Sequence, residues 1–343
     1  MKAIVQTGPE SVDVTERSVP NIQDSEVLVE VHAAGLCGSD VHAYLYEGGY
    51  EWVDIPRIMG HEYAGTVVEV GADVSEYSPG DCVVEDPTLR CNACFQCQNG
   101  QENVCQNFSV KGMHRDGSYA EFSVAQADNL HVVPDGVSLR HAAITEPLSV
   151  ASRTVFSQSC LTPADTALVE GPGPIGLLVA TIADSMGASV IVSGLGVDTE
   201  YRLPLVESLG IETIDITDRD LDERTADVTD GIGYDVVFDA TGHHSGSEMA
   251  VDLVRKGGQV VVIGLPGAPS GLEMDQTVRK EVEINTSYGS AWRNFQQALS
   301  LLERGVVDPA RIVDTSFSVE ECEDAFAAFL DAQTCKPLFT FAE

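Results

Sequence analysis

Residues 166–287 alternate short apolar strands with helices, and this order constrains the fold more than any other feature of the chain. The pattern predicts strands over 167–170, 190–193, 213–216, 234–239, 259–263 and 282–287, and helices over 175–186, 203–209 and 247–254. Strands separated by helices pair in parallel, because each helical crossover returns the chain to the same edge of the sheet. The segment is therefore expected to form a doubly wound parallel α/β sheet.

The first of these strands is followed at once by the run Gly-Pro-Gly-Pro-Ile-Gly, a G-x-G-x-x-G motif. Gly171 permits a tight turn, Gly173 lets the backbone approach a pyrophosphate, and Gly176 lets the helix pack on the strand. The helix that starts at Pro174 and Ile175 directs its N-terminus at the bound anion. In this setting the motif predicts a dinucleotide site, with an ordinary glycine turn as the alternative.

The choice between NAD and NADP depends on the end of the second strand. An acidic residue usually stands there to hold the adenosine ribose 2′-hydroxyl of NAD, but this strand ends in Ser193 and Gly194. The missing acid leaves room for a 2′-phosphate, with which Arg202 could pair. Asp198 lies in the same loop and could serve NAD, and Arg202 could be a solvated helix residue. The sequence slightly favours NADP.

Cys91, Cys94, Cys97 and Cys105 form a C-x2-C-x2-C-x7-C cluster. Such close spacing lets one loop surround a single tetrahedral ion, and four thiolates favour Zn²⁺. The cluster contains no histidine, carboxylate or open position, so its predicted role is structural. A disulfide knot or unrelated buried thiols are the alternatives, although a chain without a secretory signal favours reduced thiols.

The N-terminal part is expected to be an antiparallel β domain, because β-branched runs such as 65–70 are separated by Gly and Pro turns. Two amphipathic helices and a final strand follow residue 288 and are expected to return to this domain. The predicted domains are therefore a first domain over 1–150 with a zinc lobe at 86–110, an inserted nucleotide-binding domain over 151–288, and a returning segment over 289–343.

The chain carries 54 acidic residues against 19 basic ones, a formal net charge of −35. Self-repulsion of this size opposes compaction unless salt screens it, and the Debye length falls from about 10 Å at 0.1 M to about 3 Å at 1 M salt. The acids are spread along the chain, most densely within 218–230. The composition predicts a solvated acidic surface suited to high salt, with an acidic mesophilic protein as the alternative. Nucleic acid and anionic membranes are poor partners for such a surface.

The N-terminus has no apolar stretch followed by a small-residue cleavage site, so no signal peptide is predicted. The sequence also contains no apolar run near the ~18 residues needed to cross a bilayer. A cytoplasmic location without membrane contact is expected.

Two separate N-terminal segments carry residues suited to catalytic zinc. Gly-Leu-Cys-Gly-Ser-Asp-Val-His contains Cys37, and Gly-His-Glu contains His61 and Glu62. Further along, Thr-Glu-Pro-Leu supplies a second carboxylate at Glu146. A few protein ligands with one open position is the arrangement typical of catalytic zinc.

With these motifs the chain resembles the zinc-dependent medium-chain dehydrogenases, and among them the sorbitol and threonine dehydrogenase branch. The resemblance covers essentially the whole length through Gly-Leu-Cys-Gly-Ser-Asp-Val-His, Gly-His-Glu-Tyr-Ala-Gly, the four-cysteine lobe, Glu-Pro-Leu-Ser-Val and Gly-Pro-Gly-Pro-Ile-Gly. It implies a GroES-like catalytic domain, an NAD(P)-linked oxidoreductase with two zinc ions per chain, and a dimer or tetramer. The Glu-Pro-Leu form is typical of polyol members, which favours a polyol or sugar over threonine.

The resemblance implies that Cys37 and His61 bind the catalytic zinc, with Glu62 or Glu146 completing the ligand shell according to whether substrate is present. Zinc would bind the substrate hydroxyl and lower its pKa while a hydride passes to the nicotinamide. Glu62 could instead be an arginine-paired carboxylate, and Glu146 could hold a water molecule.

The resemblance also implies a proton path and further cofactor contacts. Ser39 would pass the proton through the cofactor ribose to His42, although Ser39 could cap a helix and His42 could be a surface histidine. Cofactor contacts, or alternatively simple turns, are expected at the ends of the later strands, at Thr241, Ile263, Gly264, Leu265, Ser287 and Tyr288.

Three functions remain open on the sequence. The first is a zinc-dependent dehydrogenase of polyols, sugars or another alcohol, L-threonine included. The second is a reductase of quinones or enones that works without zinc, which the candidate ligands disfavour. The third is a sensor or structural protein that binds the cofactor without turnover.

Overall fold

The computed structural model describes residues 1–218 and 221–341. Asp220 of the acidic segment and the last two positions of the predicted returning segment lie outside these described residues. The chain divides into two compact units. The first unit comprises Met1–Ser149, Ser290–Leu330 and the segment from Lys336 onwards, and the second comprises Val150–Gly289 and Asp331–Cys335.

The N-terminal part of the first unit is built from short strands. They are β1 (Lys2–Gly8), β2 (Ser11–Glu16), β3 (Glu26–Gly35), β4 (Arg57–Ile58), β5 (Glu62–Val70), β6 (Cys82–Glu85), β7 (Thr88–Leu89), β8 (Ser109–Val110), β9 (Phe122–Gln126) and β10 (Leu130–Val132). The helices are α1 (Gly38–Leu45), α2 (Phe95–Gln98) and α3 (Leu139–Ala142), followed by α4 (Thr145–Arg153), which belongs to the second unit from Val150 onwards. Alternate valines of β3 face the core, since Val27, Val29 and Val31 are fully buried.

The second unit alternates strands and helices. Its strands are β11 (Thr166–Glu170), β12 (Ser189–Gly194), β13 (Glu212–Asp215), β14 (Tyr234–Asp239), β15 (Val254–Val262) and β16 (Glu283–Thr286). Its helices are α5 (Pro174–Ser185), α6 (Arg202–Ser208), α7 (Leu221–Thr229), α8 (His244–Leu253) and α9 (Met274–Lys280).

All six strands of the second unit pair in parallel, in the order β13-β12-β11-β14-β15-β16. The predicted doubly wound sheet is thus confirmed, and its strand order reverses between β11 and β14, where such sheets bind ligands. The structure adds α7 and α9, which the sequence analysis did not anticipate. In α7 the only buried side chains are Leu221 and Thr225, so its apolar periodicity is too weak to indicate a helix.

The chain then returns to the first unit through α10 (Trp292–Glu303), β17 (Ser316–Ser318), α11 (Cys322–Leu330) and β18 (Leu338–Thr340). β17 and β18 extend a sheet of order β10-β6-β5-β3-β18-β17, in which β9 also pairs with β3. The pairs are antiparallel except β17 with β18, which confirms the predicted antiparallel β architecture. Separate small sheets join β2-β1-β4 and β7-β8. No helix within 1–218 or 221–341 has the length and apolar character needed to span a membrane.

Candidate active site

Cys37, His61 and Glu62 meet at one end of the β3 and β5 pair. Gly35 at the end of β3 is the register partner of Glu62 at the start of β5, and Cys37 is the N-cap residue immediately before α1. The pairing therefore brings two distant segments together. One ligand atom from each of the three residues lies within 4.8 Å of the other two. A sulfur, an imidazole nitrogen and a carboxylate oxygen at this separation fit one zinc ion.

Asp40 stands behind His61. Its Oδ1 lies 3.4 Å from His61 Nδ1, and its Oδ2 accepts hydrogen bonds from Tyr119 Oη at 2.7 Å and from the Cys37 backbone nitrogen at 3.1 Å. This contact leaves Nε2 of His61, which lies 3.5 Å from Ser39 Oγ, to face a metal. A carboxylate behind a ligating histidine fixes the orientation of the ring. Sequence reasoning did not single out Asp40 or Tyr119, although Asp40 stands within the quoted Cys37 motif.

The pKa of His61 is affected by two opposing effects. Burial lowers it, but the charge of Asp40 close by, with a further contribution from Cys37, outweighs burial and raises the pKa well above 6.5. A metal must therefore displace a proton from His61 at any pH below this raised pKa. Apparent zinc affinity at this site should consequently fall as the pH is lowered.

Substituting Asp40→Asn is expected to separate the two effects of this carboxylate. The variant should bind zinc about 10- to 100-fold more weakly at high pH, because the ring is no longer oriented. Its affinity should start to fall only at a lower pH than in the wild type, because the pKa of His61 drops. Competition with a chromophoric chelator across pH measures both effects. Unchanged affinity and pH profile would show that Asp40 does not act on the metal ligand.

Glu62 is held by Lys336, a residue that sequence reasoning missed. Lys336 Nζ bonds to Glu62 Oε2 and donates to the carbonyl of Leu36 at 3.0 Å. The side chains of Lys336 and Glu62 are 1% and 0% exposed, so the ion pair is fully buried. Gly35 accommodates it, since a Cβ there would lie 2.3 Å from Glu62 Oε2.

Glu62 Oε1 is buried and has no hydrogen-bond partner among the described residues. Only this oxygen of Glu62 can therefore turn to a metal without breaking the pair. The sequence raised pairing with an arginine as an alternative role for Glu62, and the structure supplies a lysine instead. The two residues are 274 positions apart, so no local motif could have linked them.

Glu146 lies in the first turn of α4 and is partly buried. Its desolvation raises the pKa of the carboxyl to about 7, with the charge of His61 opposing this effect and that of Glu62 adding to it. Glu146 is thus close enough to His61 and Glu62 for its pKa to respond to their charges. It does not belong to the set whose ligand atoms lie within 4.8 Å, so its ligand role stays a prediction.

Ser39 and His42, the two residues of the expected proton path, both lie in α1. Ser39 approaches His61, as described above, while His42 is exposed and stacks on Tyr50 with ring centroids 5.8 Å apart. Gly48 packs closely against the same imidazole, because a Cβ there would lie 3.1 Å from His42 Nδ1. Their roles as a relay stay a prediction.

The four cysteines of the lobe also converge. Cys94 Sγ lies 3.5 Å from Cys97 Sγ and 3.8 Å from Cys105 Sγ, and Cys105 Sγ lies 3.5 Å from Cys91 Sγ. Tetrahedral Zn–S bonds of about 2.3 Å place sulfurs about 3.8 Å apart, whereas a disulfide needs about 2.05 Å. All four are free thiols, and backbone N–H groups of Ala93 and Cys94 lower the pKa of Cys91 to about 6. The lobe fits a tetrahedral metal ion.

In the second unit, the glycine-rich turn adopts the conformation that its sequence predicts. Gly171 has φ +98°, which disfavours any other residue. A Cβ on Gly176 would lie 1.9 Å from the Gly171 carbonyl oxygen, so only glycine allows α5 to pack this closely. Gly173 precedes Pro174 and Ile175 at the start of α5, and space around its Cβ position is open.

The remaining predicted cofactor residues lie at the carboxyl ends of the parallel strands. Ser193 and Gly194 end β12, and the loops after β14 and β15 touch, since a Cβ on Gly264 would lie 2.3 Å from the Gly242 nitrogen. Thr241 donates to Asp239 Oδ1 at 2.7 Å. The others follow β15 and β16 directly, and they are Ile263, Leu265, Ser287 and Tyr288. Arg202 begins α6.

Comparison with known families gives matches to both units. The alcohol dehydrogenase GroES-like domain matches residues 23–135, and the zinc-binding dehydrogenase domain matches residues 174–304. A sorbitol dehydrogenase from Halalkalibacterium halodurans is 35% identical over 99% of both chains. A D-arabitol-phosphate dehydrogenase from Enterococcus avium is 32% identical over 98% of this chain and 96% of its own. The chain belongs to the zinc-dependent medium-chain dehydrogenase family.

Solved structures agree with this assignment. RspB of Escherichia coli, described as a short chain alcohol dehydrogenase and solved with NADH, has a TM-score of 0.91 at 31% identity and covers 99% of both chains. A protein from Sinorhizobium meliloti solved with NADP has a TM-score of 0.90 at 28% identity and covers 99% of this chain and 98% of its own. These relatives include both cofactors, so they leave the choice between NAD and NADP open.

Proposed function

We propose that this dehydrogenase oxidises a secondary hydroxyl of a polyol or sugar with NAD(P) as the hydride acceptor. The observation that supports it most is the convergence of Cys37, His61 and Glu62 within 4.8 Å. The relatives named above as sorbitol and arabitol-phosphate dehydrogenases favour a polyol substrate, as does the Glu-Pro-Leu run that begins at Glu146.

Each residue of the proposed site has a separate task. Zinc held by Cys37 and His61 would supply the Lewis acidity that lowers the pKa of the substrate hydroxyl. Asp40 holds the imidazole ring, and Lys336 holds Glu62. Ser39 accepts the hydroxyl proton and passes it outward.

The two units carry different parts of this proposal. The first unit is the catalytic domain, and its cysteine lobe holds a second, structural zinc ion. The second unit is the nucleotide-binding domain, with the pyrophosphate against the turn that begins at Gly171 and the nicotinamide near the loops after β14, β15 and β16.

The test is a panel of polyols, aldoses, simple alcohols and L-threonine, assayed with NAD and with NADP in molar salt. Chelator-sensitive reduction of the cofactor by a polyol or sugar is the expected result. Reduction by L-threonine alone would change the substrate class, which matters because an L-threonine 3-dehydrogenase of Shewanella woodyi is 28% identical over its whole length. Reduction of a quinone that resists chelators would contradict the zinc mechanism.

A sensor function has one specific observation in its favour. RspB of Escherichia coli, 31% identical over all of both chains, is described as a starvation-sensing protein. Tight cofactor binding without turnover of any compound in the panel would favour this function over catalysis.

We propose that the chain forms homo-oligomers through its second unit. β16 is an edge strand of the parallel sheet, and α9 exposes Met274 by 58% and Val278 by 70%. Unpaired edges and adjacent exposed apolar side chains are features of subunit interfaces. Val278→Asp should lower the mass measured by light scattering, whereas the same change at Val132, also exposed but on β10, should not. A monomeric wild type would contradict the proposal.

We also propose a cytoplasm of high salt as the setting. The cysteines are free thiols, and the net charge of −35 requires screening. Raising KCl from about 0.1 M to about 3 M should raise the unfolding midpoint by about 10 °C or more. Sucrose at equal osmolality serves as the uncharged control. A midpoint that ignores salt, or responds equally to sucrose, would contradict a halophilic surface.

A further inference from the structure

The end of β12 lacks the usual acidic side chain, and the packing around Gly194 shows why. A Cβ on residue 194 would lie 3.0 Å from Pro172 Cγ and 3.0 Å from Leu203 Cδ2. Contacts this short force the neighbours to move. A side chain at position 194 would therefore need Pro172 of the glycine-rich turn or Leu203 to shift by a few tenths of an ångström, which disfavours a carboxylate there.

The carboxylate of Asp198 nevertheless lies beside Gly194. Its Oδ2 lies 3.2 Å from the same Cβ position, which is shorter than an ordinary van der Waals contact. The short turn Gly196–Asp198 carries the side chain there, and the Leu195 nitrogen donates to Oδ2 at 3.1 Å. Asp198 is only 6% exposed, so packing fixes its position. The carboxylate of Asp198, four residues beyond β12, thus lies directly beside the Cβ position of residue 194.

Arg202 is engaged by this acid. Its Nη1 lies 3.5 Å from Asp198 Oδ1, and its Nε donates to the Thr334 carbonyl at 3.2 Å. The Asp198 carboxylate beside the Arg202 guanidinium opposes the approach of a 2′-phosphate, and its two oxygens keep acceptor capacity for a ribose hydroxyl.

We infer that Asp198 sets the cofactor preference, accepting the adenosine ribose hydroxyl in place of the missing acid of β12, so that NAD(H) binds more tightly than NADP(H). The inference rests on the proposed function and specifies its cofactor. It reverses the slight preference for NADP drawn from the sequence, because the charge of Arg202 is balanced by Asp198.

Titration of the zinc-loaded protein with NADH and with NADPH, followed by cofactor fluorescence, measures both Kd values without turnover. The wild type should bind NADH at least about tenfold more tightly than NADPH. Asp198→Asn should reduce that ratio about tenfold. Asp184→Asn, which removes the same charge from an exposed position near the end of α5, should leave the ratio unchanged.

The outcomes separate the inference from the proposed function. Equal or tighter binding of NADPH by the wild type overturns the inference and leaves the dehydrogenase function intact. Binding of neither cofactor overturns both. If the unfolding midpoint shows that Asp198→Asn does not fold, the inference is tested by the ratio of the NADH and NADPH Kd values in the wild type and in Arg202→Ala. Loss of NADPH affinity alone in Arg202→Ala would assign selectivity to the arginine and overturn the role of Asp198.

Discussion

Cys37→Ala is expected to lose turnover by about a thousandfold or more while the protein stays folded. The substitution removes the sulfur ligand from the site at the start of α1, and loss of Lewis-acid stabilisation worth several kcal/mol corresponds to this factor. Metal analysis should show that bound zinc falls from two ions to one per chain. Wild-type turnover in Cys37→Ala would contradict the assignment of the catalytic site.

Cys94→Ser is the matched control, because it also removes one thiolate and should also leave one zinc ion. The zinc ion lost in Cys94→Ser is the one bound by the cysteine lobe, where zinc contributes to folding. The unfolding midpoint should therefore fall, while the specific activity of the protein that remains folded should stay close to wild type. If both variants lost turnover to the same extent at unchanged midpoints, the division into a catalytic and a structural site would be wrong.

Lys336→Met is expected to lower the free energy of unfolding of the first unit by about 3–5 kcal/mol, because it leaves the fully buried charge of Glu62 without its partner. The two tryptophans of the chain, Trp52 and Trp292, both belong to this unit. Their fluorescence during denaturant unfolding therefore reports on the unit that contains the ion pair. Turnover should also fall, since an unpaired Glu62 is free to bind the metal with either oxygen.

Two further variants separate charge compensation from packing. Glu62→Gln combined with Lys336→Met should recover more than half of the lost stability, because no uncompensated buried charge remains. Lys336→Arg keeps the charge and should lie between the wild type and Lys336→Met. A Lys336→Met protein within about 1 kcal/mol of wild type would show that solvent or another group compensates Glu62.

Much of the chemistry was predictable because it resides in short motifs. The spacing of Cys91, Cys94, Cys97 and Cys105 indicated one tetrahedral ion, and the structure places their sulfurs at separations that fit it. The glycine-rich turn was equally predictable from the sequence, because the positive φ at Gly171 favours glycine. Helix α7 was not predictable in this way, because a helix with only two buried side chains shows little apolar periodicity in its sequence.

The parallel sheet and the cysteine lobe follow from the sequence alone, because they depend on strand-helix order and on residues near one another in the chain. The grouping of Cys37, His61 and Glu62 at one metal site came from the family resemblance, and their role as ligands stays a prediction. Only the tertiary structure could show that Lys336 neutralises Glu62 and that Asp198 fills the place beside Gly194. Both are contacts made by side-chain packing, which follows from how strands and loops meet in space rather than from the order of residues.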